Sequence, residues 1–191
     1  MRNLIIIDEG SKHWYRGKAV HFPLMVNAKF VESVRELGLF DLLDLAAKPE
    51  TKRTEFETVL LKAIHWLSSA QAQAENENVL LNLITCLETF LKPSKEDAIM
   101  ATIAEGVAIL TASGLEARKE RKERIKYFYG KRSRLSHEGD GEILLSELHE
   151  LTVIARELTL QMIRRRGEFK TQQELRDWIE DQKLGGLNPT N

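Results

Sequence analysis

The sequence predicts an all-α protein: an up-and-down bundle of four to five helices with a small, irregular N-terminal extension. Three observations point there. From residue 54 onward, apolar residues recur at three- and four-residue steps, the period of one face of an α-helix. Proline is sparse, at four in 191 residues, so long helices can run uninterrupted. The residues that punctuate the pattern, Gly38, Pro49, Pro93 and Gly114, stand between the periodic segments rather than inside them.

Residues 4–7, Leu-Ile-Ile-Ile, are a short β-branched run closed by Asp8-Glu9-Gly10, the signature of a short strand. Residues 10–27 show no period and are expected to be irregular. Residues 28–37 and 39–47 are short helical candidates on either side of Gly38. A soft boundary at Pro49 divides an extension, residues 1–48, from a helical domain, residues 49–184. Within the domain, residues 54–72 carry Phe56, Val59, Leu60, Ala63, Ile64, Leu67 and Ala70 on one stripe. Residues 77–91 are apolar around most of their girth, which marks a central helix. Pro93 ends it, and Ser94 with Asp97 three residues on has the form of a helix start. The next helix runs to about Thr111, with Ile99, Ile103, Val107 and Leu110 expected in the core and Gly106 as an interruption. Residues 115–129 form a highly charged helix, followed by the segment 131–137 and the turn Glu138-Gly139-Asp140-Gly141. A long helix over 143–163 holds Leu144, Leu145, Leu148, Leu151, Ile154 and Leu158, and an amphipathic helix over 171–184 holds Leu175, Trp178 and Ile179. Residues 185–191 are expected to be a disordered tail.

Composition sets further bounds. The formal net charge is −1, so affinity for a polyanion must come from a local patch. One cysteine, Cys86, in an apolar run reads as a small core residue. The apolar N-terminal run is too short for a signal peptide, and no segment reaches the roughly 20 apolar residues of a membrane span. A cytoplasmic protein that needs no cofactor or metal is the expectation. No His-Glu-x-x-His, phosphate-binding loop or dinucleotide fingerprint is present.

One segment carries chemistry: Tyr127-Phe128-Tyr129-Gly130-Lys131-Arg132-Ser133-Arg134-Leu135-Ser136-His137. Arg132 and His137 make an Arg-x-x-x-x-His pattern. Arg16 and His21 share the spacing but lie in the irregular N-terminal stretch and are discounted. Histidine moves protons near neutral pH, and the planar guanidinium fork matches phosphate oxygens. Residues five apart on a regular helix differ by about 140° around the axis, and residues three apart by about 60°. Arg134 and His137 can therefore share a face that Arg132 and His137 do not. Read structurally, Arg132 is a surface cation and His137 a helix-end residue. Ser133 and Ser136 either orient the site or cap local backbone. Tyr127 and Tyr129 either stack on bases or pack the bundle. A basic run, Arg118, Lys119, Arg121, Lys122, Arg124, Lys126, Lys131, Arg132 and Arg134, is either a ridge for a phosphate backbone or a solvated face stitched by ion pairs. Glu88 and Glu105 read as packing or cation-pairing residues, and His65 as structural.

Together, Leu87-Glu88, Ala104-Glu105, the aromatic lead into Arg132-Ser133, His137, the Gly-rich turn and the final Glu174-Leu175-x-x-Trp178-Ile179-Glu180 resemble the HEPN superfamily, in particular its ApeA-like branch, over about residues 54–183. Two positions depart from the pattern. Ser133 stands where catalytic members often have Asn, Asp or His, and Gly106 where relatives often have Arg. The resemblance implies a metal-independent endoribonuclease, of a bacterial defence or toxin system, that leaves a 2′,3′-cyclic phosphate. It implies Arg132 and His137 as catalytic pair; the residues themselves offer Ser133, Arg134 and Ser136 in support, and Arg121, Arg124, Lys126, Tyr127 and Lys131 along a single-stranded RNA. It also implies a homodimer with a composite cleft, and an antitoxin or regulatory protein as partner. The alternative is a non-catalytic HEPN module for RNA binding or protein assembly.

Overall fold

The computed structural model describes residues 2–8, 11–17, 27–91, 99–138 and 143–184, with side chains over 27–91, 99–135 and 143–184. The chain divides into two compact units, Met1–Glu36 and Leu37–Asn191. The helical unit therefore begins at Leu37, twelve residues before the boundary placed at Pro49. The expected tail, residues 185–191, and the helix start at Ser94 and Asp97 lie outside the described residues.

In the first unit, β1 (Arg2–Asp8) pairs antiparallel with β2 (Ser11–Gly17), from Arg2 opposite Gly17 to Asp8 opposite Ser11. The strand expected at residues 4–7 is present. The irregular stretch expected from residue 10 is corrected, because residues 11–17 are a second strand. That segment has no period of its own and draws its order from pairing with β1. Helix α1 (Ala28–Glu36) follows, its start capped by Asn27, whose Oδ1 accepts from the Phe30 N–H at 2.9 Å.

The second unit is all-α: α2 (Leu39–Ala47), a single 3-10 turn (Glu50–Lys52), α3 (Glu55–Ala72), α4 (Asn76–Leu91), α5 (Ile99–Thr111), α6 (Leu115–Glu138), α7 (Leu145–Arg164) and α8 (Gln172–Leu184). Five long helices, α3 to α7, form the bundle, and α8 lies on α3, α4 and α5. Short turns between α3 and α4 and between α5 and α6 make each pair antiparallel. Among the described residues, no helix is long and apolar enough to cross a membrane.

Local chemistry explains where the helices start. Thr54 Oγ1 accepts from the Glu57 N–H at 3.1 Å, and Glu57 Oε2 accepts from the Thr54 N–H at 2.8 Å. This reciprocal cap satisfies two free N–H groups at the start of α3, and Lys48 pairs with the same Glu57 at 2.7 Å. The start of α8 is seated by Gln172, whose side-chain amide donates to the Thr89 carbonyl at 2.6 Å.

The core follows from the stripes. Helix α4 is central, as its all-round apolarity predicts, and buries Leu80, Leu83, Ile84, Cys86, Leu87, Phe90 and Leu91. Burial raises the Cys86 thiol to a pKa of about 11, with its sulfur 4.0 Å from Thr159 Oγ1. Some expectations are corrected. Ile99 is exposed, whereas Ile103, Val107 and Leu110 are buried as expected. Leu144 and Leu145 are exposed, and Ile143 is buried in their place. His65 is exposed and sits against Trp66, ring centroids 5.7 Å apart. Gly106 does not interrupt α5. It lets the helix approach its neighbours, since a Cβ there would lie 3.1 Å from the Leu91 methyl carbons.

Gly38 is constrained twice over. Its φ is +81°, and a Cβ would lie 2.8 Å from Ile163 Cγ2. Gly38→Ala should lower unfolding stability by about 2–3 kcal/mol, from left-handed strain plus crowding. Urea denaturation measures it, and an unchanged midpoint would show that the backbone relaxes at no cost.

Candidate nucleic-acid interface on helix α6

Helix α6 runs unbroken through Gly130 to Glu138. The charged helix and the motif segment, read as successive pieces in the sequence, are one rod of 24 residues. Its inward stripe is Ile125, Phe128, Tyr129, Arg132 and Leu135, at steps of three and four. The first three are buried, and Leu135 packs partly on the core. Arg132 thus occupies a position where an apolar residue would ordinarily pack.

Burying a guanidinium without a partner is costly, and Glu88 of α4 answers it. Glu88 Oε1 lies 3.7 Å from Arg132 Nη1 and accepts a hydrogen bond from the Tyr129 hydroxyl at 3.0 Å. Arg132 Nε is buried and has no hydrogen-bond partner among the described residues, while the side chain as a whole keeps 39% of its surface exposed. The guanidinium is therefore paired with Glu88 and partly open to solvent. Tyr129 is only 6% exposed, which removes it as a base-stacking platform. Burial, and then the charge of Glu88, push its hydroxyl pKa far above the ordinary range, so it stays a proton donor. The sequence offered Glu88 as a cation-pairing residue. The signal for Tyr129 was its place three residues before Arg132 on the same stripe.

Ser133 and Arg134 are exposed, and Arg134 has no ion pair with another described residue. The Ser136 and His137 side chains lie outside the described residues; the backbone places both in the last turn of α6. Because α6 is regular, His137 sits about 140° around its axis from Arg132 and about 60° from Arg134. Arg16 falls within β2, and His21 is outside the described residues.

The basic ridge is stitched to carboxylates. Arg121 pairs with Glu157 at 2.8 Å, Arg124 forks onto Glu150 through Nε at 2.7 Å and Nη2 at 2.5 Å, and Lys126 pairs with Glu123 at 2.7 Å. Arg121 and Arg124 line a groove between α6 and α7 that also holds His149, Glu120 and Glu150, so the groove's charges nearly balance. Tyr127 is only partly available. Its hydroxyl donates to Glu147, and its ring lies beneath the Arg124 guanidinium, 4.7 Å from the centroid.

Glu147 gathers the lower end of this face. Besides Tyr127, it takes the Leu144 N–H at 2.8 Å, which satisfies a free donor at the start of α7, and Lys131 at 3.1 Å. Burial opposes its ionisation, but these three donors win and hold its pKa at about 2, against 4.5 ordinarily. A depressed carboxyl stabilises the fold fully above its unfolded pKa and loses that contribution as pH falls through the folded value. Glu147→Gln should therefore cost about 2 kcal/mol at neutral pH. The gap to wild type should close between pH 4.5 and 2, as followed by denaturant melts across that range. A gap that does not change with pH would remove the charged role.

No known protein family, curated protein or solved structure shows significant similarity to this chain.

Proposed function

We propose that the chain is a HEPN-type, metal-independent endoribonuclease that works as a two-fold dimer. The observation that carries this reading is Arg132, an arginine on the core-facing stripe of a helix, paired with Glu88 at 3.7 Å and with 39% of its side chain exposed. A carboxylate that orients a cation without enclosing it prepares that cation for a phosphate oxygen. His137, one and a half turns on, supplies the proton-transfer group. In the reaction, the ribose 2′-oxygen attacks phosphorus and the bond to the 5′-oxygen breaks. The 2′-hydroxyl proton leaves to a base, and the leaving oxygen gains one. The products are a 2′,3′-cyclic phosphate and a 5′-hydroxyl. Arg132 and His137 diverge around α6, so one chain does not bring them to one phosphate from a single face. A second copy, related by two-fold symmetry, completes the cleft. Arg134, exposed and about 60° from His137, is placed to assist.

The second reading, a non-catalytic module for protein assembly, is favoured by the pairing of Arg121, Arg124, Lys126 and Lys131 with carboxylates. Such pairs leave little free charge for an RNA backbone. One experiment separates the two. Labelled single-stranded RNA and the matching DNA are incubated with the protein in EDTA, and the reaction is repeated with His137→Ala. RNA cut and DNA intact, with activity lost in the variant, is the result expected, because the 2′-hydroxyl is the nucleophile. A stable dimer that neither cuts nor binds RNA would replace the nuclease reading with assembly. Equal cleavage by the variant would place the activity elsewhere.

A further inference from the structure

We propose that the groove between α5, α6 and α8 binds a phosphate group carried on a flat or apolar body. It lies on the face built by Glu105, Leu115 and Lys183 and shares no residue with the Arg132 cluster, so the proposal stands apart from the nuclease reading. The groove is a surface cavity of about 480 Å³. Four cations line it, Arg118, Lys119, Lys122 and Lys183, against one carboxylate, Glu105.

Glu105 is already shared. Lys122 approaches one of its oxygens at 3.0 Å and Lys183 the other at 2.9 Å. Against Glu105 alone, the two lysines, 61 positions apart in sequence, keep one positive charge between them. The other acids nearby are at the rim. Glu116 pairs with Lys119 at 2.8 Å with its side chain 83% exposed, and Glu180 pairs with Lys183 at 3.0 Å. Surface pairs of this kind contribute at most about 1 kcal/mol, so a dianion in the groove displaces them at small cost. Arg118 supplies the directional element. Its Nε donates to the Ala112 carbonyl at 3.2 Å, which fixes the plane of the guanidinium. Among the described residues, Arg118 makes no ion pair, and its two terminal nitrogens retain their donors for a forked contact with phosphate oxygens. Between the cations the lining is apolar, with Ile109 half-buried and Leu115 63% exposed. A leucine that exposed, ringed by cation stems, suits a ligand with a hydrophobic body rather than a bare inorganic anion.

Two sources share this chemistry, a free phosphorylated small molecule and a phosphate on a nucleic-acid strand. The test uses the full chain and calorimetric titration with phenyl phosphate, benzyl alcohol and inorganic phosphate. Phenyl phosphate should bind saturably and more tightly than either of the others. Arg118→Gln should weaken it by about tenfold with the helical circular dichroism retained, and Lys62→Gln, an equal loss of charge at an exposed position of α3, should leave it unchanged. Absence of saturable phenyl phosphate binding overturns the proposal, and so does equal weakening by Lys62→Gln, which would mean diffuse charge attraction. Single-stranded RNA is then titrated against bound phenyl phosphate. Displacement assigns the groove to a strand phosphate, and its absence to a free small molecule; both support the site.

Discussion

Mixing Arg132→Ala protein with His137→Ala protein should restore RNA cleavage to about a quarter of the wild-type rate, although each variant alone falls by about 10²–10³-fold. The expectation rests on the geometry of α6. Arg132 belongs to the stripe that faces Glu88, and His137 sits about 140° away on the same regular helix. If a phosphate takes its guanidinium from one protomer and its imidazole from the other, a mixed dimer contains one intact site and one doubly damaged site. Random exchange makes about half of all dimers mixed. If both groups came from one protomer, no combination would recover activity, and the composite cleft would be wrong. Glu88→Gln sharpens the test. It keeps the Tyr129 hydroxyl partnered but removes the charge that holds Arg132, so its loss should fall short of that of Arg132→Ala.

The second large effect is on stability. Phe128→Ala should cost about 3–5 kcal/mol, a large fraction of the 5–15 kcal/mol typical of a domain. Phe128 is fully buried on the inward stripe of α6, beside Ile125 and one residue before Tyr129. Its removal also takes away a ring against which the Arg124 guanidinium lies, 5.0 Å from the centroid. Urea denaturation measures the loss. A loss under about 1 kcal/mol would mean that α6 packs far less tightly than its zero exposure implies.

Much of the bundle was legible because its helices carry their own period. Residues 54–72 and 77–91 put apolar side chains at every third or fourth position, and the structure has helices at Glu55–Ala72 and Asn76–Leu91. Where several apolar residues fall together, the period cannot choose among them. Ile143, Leu144 and Leu145 are consecutive, and only the packing decides that the first is buried and the next two are exposed. Ile99 is exposed although it falls on the same three- and four-residue period as the buried Ile103 and Val107. The strand at residues 11–17 was hidden because its order comes from its partner.

The candidate site divides in the same way. The amino-acid sequence by itself determined which side chains are available: an arginine and a histidine five residues apart, a run of cations and a helical scaffold, since these depend on residue identity and local periodicity. Only the tertiary structure decided that α6 is continuous through Gly130, that Glu88 comes from 44 positions away to pair with Arg132, and that Glu150, Glu157 and Glu147 pair with Arg124, Arg121 and Lys131 of the ridge. The physical reason is that an ion pair depends on distance in space, whereas helical periodicity reports only which way a residue faces on its own axis.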